Sequence, residues 1–400
     1  MKLCWLIPDD KGGGVASVAL SCCRQAAKAG HQTTLLTVIS STGWIGNNHD
    51  FRVCSLNLSG SAQETPETLL QWLEKNPQDI LFLNGCEQAD VVIPYLPSHL
   101  KCVYVVHDTA SRYWQAAIRE EDNLNGIIAV SETVANQFKN RLKEKNQNNK
   151  LYTILNGCVF PQKPNPNNLR QDDLIFIGGD KPIKGAFDVL KLWKKLIEFG
   201  FTGKLHWFGK VTPNFQAKIN RLPNSEQIQV YGRVKRDVIF STAASAKVVL
   251  MLSHVEPFGM ATIEAMSMGC IPVAWHIETG TKEIVTVNET GLFAPLGNIT
   301  VLARQVLHAC ENYQVYGDAV IKQARTKFDE SVMWKGYESL IDSMANLEPI
   351  TRSKQGQKPA IYTPPTRRFQ LLPGSIRSII REFVGKNPRL GYLLRDMRGF

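Results

Sequence analysis

Two glutamates, a glycine turn and a helix start share one short segment, Glu256-Pro257-Phe258-Gly259-Met260-Ala261-Thr262-Ile263-Glu264-Ala265-Met266-Ser267-Met268-Gly269. An apolar run precedes it and Ile271-Pro272-Val273-Ala274 follows, so it reads as strand, Pro-x-Gly turn, short helix, strand. The first amides of such a helix lack acceptors within it, and with the helix dipole they favour an anion such as a diphosphate. Backbone N–H groups from Phe258 to Met260 would meet that anion. A carboxylate accepts two hydroxyl hydrogen bonds at once, so Glu256 before the turn and Glu264 inside the helix could grip diols on either side of it. Two glutamates alone would read as solvated acids on a capped surface helix. The turn and the flanking strands favour a site.

Other residues add to this chemistry. Gly12-Gly13-Gly14 follows the first apolar run and lets backbone approach a phosphate or sugar closely, although a glycine triplet alone also makes an ordinary turn. His107 ends the run Val105-Val106, and strand ends point into the crevice of a doubly wound sheet, which favours function over a core histidine. Lys184-Gly185 opens a helix, where a solvated lysine is the plainer reading and a phosphate contact the favoured one. Asp9-Asp10 and Asp172-Asp173 are adjacent pairs read as loops, poorly suited to octahedral metal binding. Lysine, amides and a helix start can carry leaving-group charge instead. The expectation is a site with no metal and no cofactor.

The elements that position these residues alternate along the chain. Apolar runs at Leu3–Ile7, Thr34–Val38, Val53–Leu56, Ile80–Leu83, Val103–Val106, Ile127–Val130 and Tyr152–Leu155 predict strands. The first helix spans Val15 to Ala29 and stops at Gly30, and Ser131 caps another. A proline- and asparagine-rich stretch, 161–172, predicts a linker. The rhythm restarts with strands at Leu174–Ile177, Leu205–Phe208, Ile228–Tyr231, Val248–Leu252 and Ile271–Ala274, a helix at Ala186–Phe199, and closing helices at 299–312 and 331–344. This predicts two α/β domains, 1–160 and 173–345, each with a doubly wound parallel sheet. A flexible linker at 346–368 and a basic amphipathic tail at 369–400 complete the expected order.

The segment from Glu256 to Gly269, the Gly280–Val285 stretch, Asn288-Glu289-Thr290-Gly291-Leu292-Phe293 and the run from Phe328 to Tyr337 together resemble the retaining glycosyltransferases of family 4. That family has the GT-B fold: two Rossmann-like domains facing across a cleft. The resemblance implies transfer of a hexose-type sugar from a nucleotide-diphosphate donor, a substrate rather than a cofactor, to a saccharide or lipid-linked acceptor. It places His107 beside the donor sugar and Lys184 at the diphosphate, so that His107, Lys184 and Glu256 are the catalytic candidates. Gly13, Gly14, Lys184, Arg233, Glu256, Phe258, Gly259, Met260 and Glu264 are the donor-binding candidates. One position departs from the family pattern. Gly178-Gly179-Asp180 stands where the family has Gly-Arg-Leu, which leaves Lys181 or Arg233 to compensate, or weaker stabilisation of the leaving group. A non-catalytic sugar-nucleotide binder and a nucleotide-sugar epimerase are the alternatives.

Charge and cysteines narrow the setting. The net charge is +10, but residues 351–400 hold eleven Lys/Arg against two acids, while the first 350 hold 35 against 34. In the tail, Ile376, Ile379, Ile380, Phe383 and Val384 recur at helical spacing, as do Leu390, Leu393, Leu394 and Met397. Either these helices cover the body or they lie on an anionic membrane surface. Without aromatic–basic interleaving or a known module, nucleic acid is not an expected partner. Nine scattered cysteines without a Cys-x-x-Cys pair predict reduced thiols in a cytoplasmic protein, which the second of those alternatives for the tail would hold at the cytoplasmic membrane face.

Overall fold

Strands buried on both faces need apolar side chains throughout, and β1 (Lys2–Ile7) is buried over its last five residues. The computed structural model describes residues 1–39, 45–46, 49–164, 169–365 and 371–386. They fall into two units: Met1–Val159 with Asp329–Thr366, and Phe160–Phe328 with the chain from Arg367.

In unit 1, β1 is followed by α1 (Gly14–Lys28), β2 (Gln32–Ile39), β3 (Arg52–Leu58), α2 (Thr65–Lys75), β4 (Ile80–Leu83) and α3 (Glu87–Asp90). Then come β5 (Lys101–Val106), α4 (Gln115–Arg119), β6 (Gly126–Ala129), α5 (Glu132–Phe138), α6 (Glu144–Lys150) and β7 (Leu151–Thr153). The seven strands form one parallel sheet in the order β3-β2-β1-β4-β5-β6-β7. The order reverses between β1 and β4, where a doubly wound sheet opens a crevice at its carboxyl ends. Gly30 adopts φ 84° just past α1, and the Ser131 hydroxyl accepts the Val134 N–H at 3.1 Å, as expected of both caps.

Unit 2 repeats the plan with β8 (Gln171–Ile177), α7 (Ala186–Glu198), β9 (Leu205–Phe208), α8 (Pro213–Ile219), β10 (Ile228–Gly232), α9 (Arg236–Ala243) and β11 (Ala246–Met251). It continues through α10 (Met260–Ser267), β12 (Ile271–Trp275), α11 (Thr281–Ile284), β13 (Leu292–Ala294), α12 (Ile299–Glu311) and α13 (Tyr313–Lys327). Its sheet is also parallel, in the order β10-β9-β8-β11-β12-β13, with the reversal between β8 and β11. Asp172 and Asp173 lie inside β8 rather than in a loop, and each has a partner: Lys247 Nζ at 2.5 Å from Asp172, and His206 Nε2 at 3.1 Å from Asp173.

The chain then returns to unit 1 as α14 (Glu330–Ala345), a correction to the expectation that this helix closes the second domain. Glu330 takes hydrogen bonds from Arg24 at 3.0 Å and Gln25 at 2.7 Å, and Tyr337 packs its ring against Trp5 and Phe82. Residues 346–365 also lie on unit 1, where flexibility was expected. Arg352 is 2% exposed, and its guanidinium donates to the carbonyls of Pro97, Leu100 and Asn123 and to Asn125 Oδ1. The last described helix is α15 (Gly374–Lys386), grouped with unit 2. The second tail helix expected at 390–397 lies outside the described residues.

Candidate active site

In unit 1 the predicted residues follow the carboxyl ends of β1 and β5, with β4 between them in the sheet. Gly12–Gly14 follow β1, and Gly12 and Gly13 adopt φ 83° and 104°, a left-handed path that leads directly into α1. His107 follows β5. Its Nε2 lies 2.9 Å from Oδ1 of Asn84, which follows β4. The Asn84 amide nitrogen donates to the carbonyls of Leu6 and Phe82, so Oδ1 is an acceptor and the histidine must donate through Nε2. That leaves Nδ1 as a bare acceptor on a neutral ring. Desolvation by burial holds the ring neutral, lowering its pKa to about 4. Asn84 is a residue that sequence reasoning missed; its only signal is that it directly follows an apolar run.

In unit 2 the Pro182–Lys184 turn after β8 meets the segment after β11. Lys184 Nζ is 2.7 Å from Glu256 Oε2, which also accepts the Ser253 hydroxyl at 2.9 Å. The backbone N–H of His254 donates to the Ile183 carbonyl at 2.9 Å, and the His254 ring lies 2.7 Å from Asp188 on α7, both side chains being buried. Gly185, at φ 82°, is pressed so closely on Leu252 that a Cβ would run into its carbonyl. Backbone, ring and glycine thus fix the lysine turn against the glutamate segment. Ser253, His254 and Asp188 were not expected at the site.

Beyond Glu256, the chain turns through Gly259 at φ 115° into α10. The Gly280 N–H donates to the Glu256 carbonyl at 2.7 Å and holds this turn. Phe258 is 2% exposed with its ring against Phe328, so only its backbone is available to a ligand. Glu264 is paired: Arg236 Nη2, at the start of α9, donates to its Oε1 at 2.6 Å. Burial pushes the Glu264 carboxyl up, and Arg236 opposes that rise. Lys184 and Arg233 both act on Lys181, whose ammonium is held below the usual lysine value, first by desolvation and then by those two like charges. Gly179 has φ 58°, and a Cβ there would stand 2.5 Å from the Lys210 carbonyl. An arginine here would require the loop or the Lys210 backbone to shift.

Among the described residues, no group of three or more His, Cys, Asp or Glu side chains is placed to hold a metal ion. All nine cysteines are free, and burial pushes thiols such as Cys102 and Cys270 up to about 12.

Residues 12–158 match the model of Glycosyltransferase Family 4, and residues 160–327 match that of Glycosyl transferases group 1. The chain belongs to the group 1 glycosyltransferases. An uncharacterized glycosyltransferase of Methanocaldococcus jannaschii is 28% identical over 232 residues, and N-acetyl-alpha-D-glucosaminyl L-malate synthase of Bacillus anthracis is 22% identical over 228 residues. These matches take in 55% and 54% of this chain and 61% and 58% of the two relatives, so less than two thirds of either relative is spanned. The GT-B fold is shared with Anabaena HepE, solved in complex with UDP and glucose, at a TM-score of 0.70 and 16% identity over 86% of this glycosyltransferase and 100% of that chain. A TarM variant from S. aureus, solved in a complex that includes UDP, gives 0.71 at 11% identity over 86% and 100%.

Proposed function

We propose that the protein moves a hexose-type sugar from a nucleoside-diphosphate donor to a saccharide or lipid-linked acceptor, with retention of anomeric configuration and without a metal ion. The observation that carries this reading is the Lys184–Glu256 pair, held at the β8–β11 reversal beside the start of α10. A donor diphosphate there meets Lys184, the nearby cations Lys181 and Arg233, and the amides from Phe258 to Met260. Glu256 takes sugar hydroxyls and Glu264 the ribose diol. His107, with its bare Nδ1, and the Gly12–Gly14 turn serve sugar and acceptor recognition. In the reaction the bond from the anomeric carbon to the diphosphate oxygen breaks, and its electron pair leaves with the nucleoside diphosphate. The acceptor oxygen bonds to the same face of that carbon, and its proton passes to the departing phosphate. Positioning and leaving-group electrostatics supply the rate.

UDP-glucose, UDP-N-acetylglucosamine, GDP-mannose and ADP-glucose, tested one at a time, decide the donor: the true donor raises the thermal midpoint. A midpoint unmoved by all of them would sink the reading. With the donor in hand, EDTA should leave turnover intact and NMR should show the product's anomeric configuration unchanged. Product formed from donor alone would point to an epimerase, and donor binding without any product to a non-catalytic binder. The tail 369–400 would hold the enzyme at the anionic cytoplasmic face of a membrane, beside a lipid-linked acceptor.

A further inference from the structure

Helices α7 and α8 of unit 2 enclose a surface groove of about 350 Å³ that the transfer chemistry does not use. Its floor is apolar: Phe187, Leu190 and Leu222, with Phe187 fixed edge-on to Phe215 at 5.2 Å. Its other lining residues are all cations, Lys191, Lys194, Lys218 and Arg221. Lys191 also reaches Asp188 Oδ1 at 3.2 Å, so part of its charge is already matched. An apolar floor bordered by positive charge suits neither a neutral cleft ligand nor a purely ionic one.

The neighbouring helix shows the same pairing of character. Helix α15 packs against the Pro182–Lys184 turn and against α7, the helix that forms one wall of the groove. Ile376 and Ile379, one helical turn apart, nevertheless stay 43% and 67% exposed, and Leu371 just before the helix is 75% exposed. A helix serving only as cover would bury this stripe. No described helix is long and apolar enough to cross a bilayer.

We propose that this face of unit 2, the α7–α8 groove together with the outer stripe of α15, docks on an anionic lipid bilayer. Ile376 and Ile379 enter the headgroup boundary, and the groove's lysines and arginine meet lipid phosphates. Charge complementarity selects the occupant: four cations and no carboxylate line the groove, beside apolar side chains that a soluble phosphate would leave in water. The inference deepens the reading of the tail given above by adding a second, folded half to the docking surface.

The test is flotation of the full chain with phosphatidylcholine vesicles, with and without phosphatidylglycerol, at low and high salt. Binding is expected only with phosphatidylglycerol and only at low salt. Lys194→Glu with Arg221→Glu should lower binding by about tenfold or more, and Ile379→Ser should lower it several-fold. All three side chains are exposed, so the thermal midpoint should hold in each variant. The proposal is overturned if the parent ignores phosphatidylglycerol, if both variants bind like the parent, or if glycerol 3-phosphate alone displaces the protein. Nucleotide-sugar binding is measured on the same samples. Its absence beside intact vesicle binding would sink the transferase reading and leave this one standing.

Discussion

Lys184 Nζ and Glu256 Oε2 lie 2.7 Å apart, so each side chain expected to meet the donor already has a partner of opposite charge. Neither is left as an uncompensated charge in a partly buried site, where an unpaired carboxylate would be costly. On the proposed function, donor binding would exchange partners: phosphate for carboxylate at the lysine, and sugar hydroxyls for the ammonium at the glutamate. Because phosphate charge grows as the sugar departs, Lys184→Ala should lower kcat by about a hundredfold or more while changing donor affinity far less. A change confined to KM for the donor would make the lysine a binding group only.

The His254 ring acts one layer behind that pair. His254→Ala keeps the backbone N–H that reaches Ile183 but removes the ring from buried Asp188, leaving Lys191 as that carboxylate's remaining ionic contact. The expected loss is about 1–3 kcal/mol, read as a lower urea midpoint. Turnover should fall with it, since the turn carrying Lys184 loses one of its ties. Unchanged stability would mean that the pair contributes nothing net.

How much of this was legible in the sequence follows from what each signal reports. Strands of a doubly covered parallel sheet must be apolar along their length, and the predicted runs at Ile80–Leu83 and Leu205–Phe208 coincide with β4 and β9. Three-residue β13 is too short for such a run to stand out. Periodicity shows that α14 has an apolar face but not what covers it, and the rings of Trp5 and Phe82 are more than 250 residues away in sequence. Composition read 346–368 as loose, yet a single arginine with four acceptors fixes its start. At the site, Glu256 and Glu264 share a motif with fixed spacing. Their partners Lys184 and Arg236 sit on other strand–helix turns, joined to them only by the order of strands in the sheet.

Gly179 gives a test of local geometry. Its φ of 58° and the Lys210 carbonyl, 2.5 Å from where a Cβ would stand, both oppose a side chain. Gly179→Arg should therefore cost more than the roughly 1–2 kcal/mol of the left-handed backbone alone, and should not raise activity. A stable variant with faster turnover would show that the loop can move to accept the arginine.

His107 makes stability depend on pH in a defined direction. Its pKa is lowered to about 4 in the folded chain from an ordinary value of 6.5, so between these values the unfolded chain binds the extra proton. The contribution is fully present above pH 6.5 and is lost as pH falls toward 4. His107→Gln keeps a donor for Asn84 but does not titrate. Urea unfolding across this range should show the parent losing stability more steeply than the variant; parallel profiles would refute a neutral, desolvated ring.

Arg236 and Glu264 should behave as one unit in donor binding. Burial raises the Glu264 carboxyl, and Arg236, 2.6 Å away, is what opposes protonation. Glu264→Gln replaces an acceptor-only group with an amide and should weaken binding of the nucleotide sugar by roughly tenfold to a hundredfold, the range of a charge-assisted hydrogen bond. Arg236→Gln should weaken it too, without itself removing a donor contact, because the carboxyl left behind is easier to protonate and freer to turn. That loss should grow as pH is lowered, since the unsupported carboxyl protonates first. If the arginine works only through the glutamate, the double variant binds no worse than the weaker single one, as calorimetry would show. Additive losses would place Arg236 in direct contact with the donor instead, and unchanged affinity in Glu264→Gln would remove Glu264 from the donor site altogether.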